Sequence, residues 1–332
     1  MNRKAFLLFT YTLFFFILFS FSSFSKSAKK IGNILKAATV YIEIRNGDDE
    51  ELIGSGTGTV INKKGDKYYI LTNGHVVNKE WNFIDEPVPY EEGEVHIIVF
   101  PDKSLIPDST NVHPGYFISN YFYWIEMDLA LLVLDYDTNS KIYGLDEPKK
   151  EDYVEFIPLK IGSSLDMIEL DRVYAAGYPI VLGNEKETYT PSIFITKAEI
   201  NSFIDDEEGW ESAVNYSIVF RAGLQAGMSG GPLVNSNGEL IGINGLIESA
   251  YSIESGDMKK EMTPRRSVYD YAINIEDFIL KGLLDDEFNN NPESIFYGYM
   301  PKIRNSQKKE LLEDWDNNQY FLPGVGYKSD LE

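Results

Sequence analysis

Residues 227–232 read Gly-Met-Ser-Gly-Gly-Pro, a serine set among glycines. A backbone that can bend this tightly presents the Ser229 hydroxyl outward and leaves nearby N–H groups free to point at a ligand. A serine nucleophile needs both features. Glycines are also ordinary turn punctuation, so the frame alone leaves two readings open. Residues upstream decide between them. Leu71-Thr72-Asn73-Gly74-His75-Val76-Val77 sets a histidine at the end of an apolar strand, and Met127-Asp128-Leu129-Ala130-Leu131-Leu132-Val133-Leu134 opens another apolar strand with an aspartate. A neutral imidazole at His75 can take the serine proton as general base and return it as general acid, because imidazole titrates near neutrality. A shielded carboxylate at Asp128 would fix the tautomer of that ring and stabilise the imidazolium. The chain order His, Asp, Ser is one of three in which this triad is built.

Each of these residues has rivals. His96 lies inside the alternating run Val95-His96-Ile97-Ile98-Val99, which gives it a structural place on one strand face, and His113 precedes Pro114. Asp102, Asp108, Asp135 and Asp137 read as loop charges, with Asp135 the next candidate after Asp128. Only Asp128 directly precedes a strand as apolar as Leu-Ala-Leu-Leu-Val-Leu.

The sequence resembles the chymotrypsin-like, trypsin-fold serine peptidases, especially their cysteine-free bacterial, Deg-type members. The residues that carry the resemblance are Ser55 to Ile61, Leu71 to Val76, His113-Pro114-Gly115-Tyr116 ahead of Asp128 to Leu131, Ala176-Gly177-Tyr178-Pro179 and Gly227 to Leu233. Asn237 to Asn244 and Tyr271 to Asn274 extend it. It implies two six-stranded antiparallel β-barrels with the catalytic cleft between them, and hydrolysis of peptide bonds through an acyl-enzyme. The backbone N–H groups of Gly227 and Ser229 would form the oxyanion hole. Digestive trypsins carry an aspartate where Met228 stands, pairing it with a newly cut N-terminus, so activation here should not depend on such a cut.

The resemblance also maps a primary specificity pocket. Its base falls on Gly223 with Leu224 adjacent, and its facing strand on Gly245, Leu246 and Ile247. None of the five carries a charge, so a buried Arg or Lys side chain would lose hydration without a partner. Ile247 fills space that an aromatic side chain would need. Cleavage after small or medium aliphatic residues is the expectation. The alternative from another class is a catalytically inactive member that keeps the barrels and holds a peptide or partner in the cleft.

The elements that must position these residues are short strands. Residues 31–39 read as a brief helix leading into Val40–Ile44, and residues 54–62 and 67–72 as a hairpin turned at Lys63-Lys64-Gly65-Asp66. Residues 94–100 and 128–134 supply further strands, and residues 78–93 and 101–124 read as long loops. Residues 135–150 read as the connection between units. The second unit has strands at residues 172–176, 192–200, 217–220, 232–234, 239–244 and 268–273, with a two-residue hairpin turn at Asn237-Gly238. Residues 275–284 have helical spacing, as do 307–315. Many short strands with brief helices make the fold all-β.

The 332 residues exceed the size at which one core usually stops growing, so two packed units are expected: 26–150 with His75 and Asp128, and 151–284 with Ser229. Residues 285–332 form a C-terminal extension in which no family motif is read. Thirty Lys+Arg against 52 Asp+Glu give a net charge of −22 with no basic stripe, which argues against a nucleic-acid partner. The absence of cysteine excludes disulfides and thiolate metal sites. No two histidines stand at ligand spacing, and residues 205–209, Asp-Asp-Glu-Glu-Gly, lack the alternate-residue spacing of a calcium loop, so neither metal nor cofactor is implied. Arg3 and Lys4, the uncharged run Ala5 to Phe21 and the small residues before Lys26 have the form of a secretory signal over residues 1–25. Export to the periplasm or medium follows from it. An uncleaved anchor is the competing reading, and only that would make the membrane a partner. Polypeptides are the expected substrates.

Overall fold

The computed structural model describes residues 26–48, 50–78, 90, 94–106, 113–124, 127–136, 141–145, 149, 152–164, 167–180, 192–204, 216–247, 269–276 and 278–279. The expected leader at 1–25, the acidic segment at 205–209, the helix at 307–315 and the extension at 285–332 lie outside the described residues.

Helix α1 (Ala28–Ala38) starts at Ser27, whose hydroxyl accepts the Lys30 N–H, and buries Ile31, Leu35 and Ala38 at i, i+4 and i+7. Strands β1 (Thr39–Asn46), β2 (Leu52–Lys64), β3 (Lys67–Asn73), β4 (Val95–Phe100), β5 (Gly115–Phe117), β6 (Asn120–Trp124), β7 (Leu129–Asp135) and β8 (Ile142–Tyr143) follow, with the single-turn helix α2 (Gly74–Val77) after β3. They form one sheet in the order β6-β7-β3-β2-β1-β4-β5-β8. The second unit holds β9 (Arg172–Gly177), β10 (Phe194–Phe203), β11 (Ile218–Phe220), β12 (Pro232–Asn235), β13 (Leu240–Ile247) and β14 (Asp270–Asn274), closed into a barrel.

The all-β architecture is as expected, and the second unit is the six-stranded barrel. The first differs in detail: among the described residues it is a curled sheet of eight strands. Two strands, β5 and β6, arise where residues 101–124 read as a loop, and β8 falls within the expected connection. Each is short, and each is an edge or near-edge partner of a longer strand, so its pairing is supplied by the neighbour more than by its own pattern. The aromatic run Asn120–Trp124 lies antiparallel to β7, from Asn120↔Val133 to Trp124↔Leu129. The turn at Asn237-Gly238 is where it was expected, though its hydrogen bond runs from Gly238 N–H to Asn235 O (2.9 Å).

Alternation along the strands sends most of the buried apolar residues into three interiors. In β7, Ala130, Leu132 and Leu134 point into the first sheet's own core, with Val40, Ile42, Ile70 and Tyr68. Leu129 and Leu131 point the other way, into a core shared with Tyr174, Ala176, Ile243 and Ile273 of the barrel and Ile31 and Leu35 of α1. In β9, Val173 and Ala175 face the barrel interior, beside Ile200, Phe220 and Leu233. Strands apolar on both faces therefore hold the two units together, each fully buried Leu or Ile contributing about 1.5–3 kcal/mol.

Candidate active site

The pairing of β3 with β7 runs in register to Asn73↔Leu129, which brings the end of one strand and the start of the other to one corner of the sheet. His75 lies just past the first and Asp128 just before the second. Asp128 takes a left-handed backbone (φ +48), a conformation that a short polar side chain tolerates better than most. Its carbonyl oxygen accepts from the Gly74 N–H (3.0 Å) and the Asn73 side-chain amide (3.1 Å). Its carboxylate is buried: Oδ1 accepts the His75 backbone N–H at 2.8 Å, and Oδ2 accepts His75 Nδ1 at 2.7 Å. With Nδ1–H given to the carboxylate, the free lone pair of the imidazole is on Nε2.

Ser229 sits on the 221–231 connection between β11 and β12, and that connection is stitched across the unit boundary to β2. Thr57 N–H donates to Ser229 O (2.9 Å), Thr57 Oγ1 to Gly227 O (2.7 Å) and Thr59 Oγ1 to Gly230 O (2.9 Å). Thr72, three residues before His75, donates its hydroxyl to Thr57 O at 2.7 Å. Gly230 (φ +87) packs into this junction so closely that a Cβ there would lie 2.0 Å from Thr57 O and 2.2 Å from Thr72 Oγ1. Gly227 (φ +90) would set a Cβ 2.6 Å from Tyr178 O. Both positions need glycine for conformation and for space.

Among the described residues, the N–H groups of Gly227 and Ser229 donate to no acceptor, while the neighbouring amides are used: Met228 N–H to Gln225 O (3.1 Å) and Gly230 N–H to Asn244 O (2.8 Å). The Ser229 hydroxyl donates to Gly245 O at 3.1 Å, and its hydrogen bond is not to the imidazole. Met228 is fully buried in the barrel core, against Gly177, and offers no carboxylate.

A family model described as a trypsin-like peptidase domain matches residues 56–243. The chain belongs to that family. It is also 26% identical over 206 residues to "Protease Do-like 1, chloroplastic" of Arabidopsis thaliana, covering 61% of this chain and 35% of the relative. It is 26% identical over 213 residues to "Serine protease Do-like HtrA" of Bacillus subtilis (strain 168), covering 62% of this chain and 38% of the relative. The chain thus spans little more than a third of the length of these curated relatives.

Within this trypsin-like domain the expected pocket residues divide. Leu224 is buried against the barrel interior and Ile247 packs on the same cluster, whereas Leu246 packs on the core shared by the two units. Gly245 lies at a register shift between Asn244 and Leu246. Gly223 (φ +69) donates its N–H to Asp270 Oδ2 at 2.8 Å, and Asp270 also accepts from Ala222 N–H (2.6 Å) and Leu224 N–H (3.2 Å). Sequence reasoning missed this buried carboxylate, because nothing in the pattern of β14 marks an aspartate as the cap of a distant loop.

It also missed Tyr216, 2% exposed, whose hydroxyl donates to Asp128 Oδ2. One signal was available. A glycine inside the apolar run Leu240–Ile247 indicates close approach of another group, and a Cβ on Gly245 would lie 2.1 Å from the Tyr216 ring.

Proposed function

We propose that this trypsin-like domain is a serine endopeptidase working through Ser229, His75 and Asp128. The observation that carries the reading is the His75 Nδ1 to Asp128 Oδ2 bond of 2.7 Å, made to a buried carboxylate whose partner Tyr216 also packs on Gly245, the residue that holds the Ser229 hydroxyl. In the first half-reaction Ser229 Oγ attacks the scissile carbonyl carbon while its proton passes to His75 Nε2. The oxyanion accepts the N–H groups of Gly227 and Ser229, each worth about 3 kcal/mol in the transition state. The imidazolium, stabilised by Asp128, then protonates the departing amine as the C–N bond breaks, leaving an acyl-enzyme. Water, deprotonated by His75, hydrolyses that ester and restores the serine. A rotation about the Ser229 side-chain bond carries the hydroxyl from Gly245 O toward the imidazole, a tightening expected once substrate is bound.

The substrate is a polypeptide, cleaved after small or medium aliphatic residues. The apolar Leu224 and Ile247 support this preference, and so do the three backbone N–H groups that take up the Asp270 carboxylate. Export through residues 1–25 belongs to the same reading; among the described residues no helix is long and apolar enough to cross a membrane. A mixture-based peptide library read by mass spectrometry tests the proposal. Cuts after Ala, Val or Ile are the expected result. Dominant cuts after Arg, Lys or Phe contradict the preference. A folded chain that binds peptides without cutting any favours the inactive, peptide-holding alternative.

A further inference from the structure

Tyr216 stands two residues before β11, and its phenol is buried at the site without a part in the triad chemistry. Its hydroxyl donates to Asp128 Oδ2, the same oxygen that holds His75 Nδ1. Its ring occupies the space where Gly245 would carry a side chain: a Cβ there would be 2.1 Å from Cε1 and 2.4 Å from the phenol oxygen. Gly245 in turn is the residue whose carbonyl holds the Ser229 hydroxyl. One ring therefore touches the carboxylate of the first unit and the serine-holding strand of the second.

We propose that Tyr216 is a positioning residue for this peptidase site, pinning Asp128 Oδ2 toward His75 through its hydroxyl and setting Gly245 through its ring. The inference rests on the catalytic reading of His75, Asp128 and Ser229. Without the phenol, Oδ2 would keep only the imidazole as a partner, and one of the three hydrogen bonds that fix the carboxylate's rotation would be lost. The titratable groups that meet here are His75, Asp128 and Tyr216. Burial, and then the adjacent Asp128 charge, push the Tyr216 phenol well above its ordinary range, so it stays a donor throughout the working pH range.

The test is Tyr216→Phe, which keeps the ring against Gly245 and removes only the hydroxyl. The expected result is a fall in kcat on the order of tenfold with KM unchanged. Gly245→Ala, which keeps the phenol but forces its ring to shift, is the second variant. It should lower kcat with KM unchanged as well, and it keeps the proposal open to test should Tyr216→Phe not fold. Ser229→Ala is measured alongside. If it is inactive while Tyr216→Phe and Gly245→Ala both match the parent in kcat and KM, the positioning role is overturned and the catalytic reading stands. If Ser229→Ala retains full activity, the catalytic reading itself fails.

Discussion

Asp128 carries two demands at once. Its backbone must enter the left-handed region, and its carboxylate must accept from His75 twice and from Tyr216 once. Asp128→Asn keeps the shape but offers an amide N–H₂ where one acceptor stood, so the imidazole is driven to the tautomer that cannot take the serine proton. The expected loss in kcat is on the order of 10⁴, the size known for the same change in a chymotrypsin-type triad. Asp135 lies 3.3 Å from Lys67 with its side chain 48% exposed, so Asp135→Asn should leave kcat unchanged. Steady-state kinetics on the two variants decides between the carboxylates, and a larger loss from Asp135→Asn refutes the assignment of Asp128. The candidate residues legible in the sequence were those with a local frame: glycines around Ser229, a strand end before His75, an apolar strand after Asp128. Tyr216 and Asp270 have none. Each acts across the fold, where only tertiary structure brings it to Asp128 or to residues 222–224.

At the scale of elements, the long apolar strands were read with their neighbours, and the short ones were not. β5 has three residues and is held by pairing of Val99↔Tyr116 and Ile98↔Phe117, a contact that no period within the segment announces. His113 leads into it, donating Nε2–H to Pro101 O at 2.7 Å with its ring beside Phe100. Burial is the main reason its pKa lies below the ordinary imidazole value of 6.5, outweighing the bond to Pro101. The folded chain therefore refuses a proton that the unfolded chain accepts. The stability linked to His113 is fully present above pH 6.5 and is lost as pH falls from there through the lower folded value. His113→Gln, which retains a donor for Pro101 O but does not titrate, should flatten this part of the stability curve. Urea midpoints compared across that range measure it, and identical slopes for the two proteins would contradict the linkage.

For the whole molecule, a mean pattern of short strands sufficed for the all-β class and for the six strands of the barrel. Which sheet closes was not legible, since closure depends on edge pairing and not on alternation within a strand. Nor was the place of α1, whose Ile31 and Leu35 enter the core common to both units, with the Lys26 N–H donating to Ser236 O (3.3 Å). The site draws on both units: β3 and β7 for His75 and Asp128, β2 for the threonines that hold the serine connection, β13 for Gly245. The fully buried Met228 leaves no carboxylate beside Ser229 for a new N-terminus to engage, so a chain beginning at Lys26 should be active without further cutting. The central claim is that such a chain holds an activated serine beside an open oxyanion hole. Labelling with a fluorophosphonate at neutral pH measures both together. The expected result is one covalent adduct, on Ser229, lost in Ser229→Ala and in His75→Ala; a folded chain that takes no label, or a label that survives Ser229→Ala, would contradict the assignment.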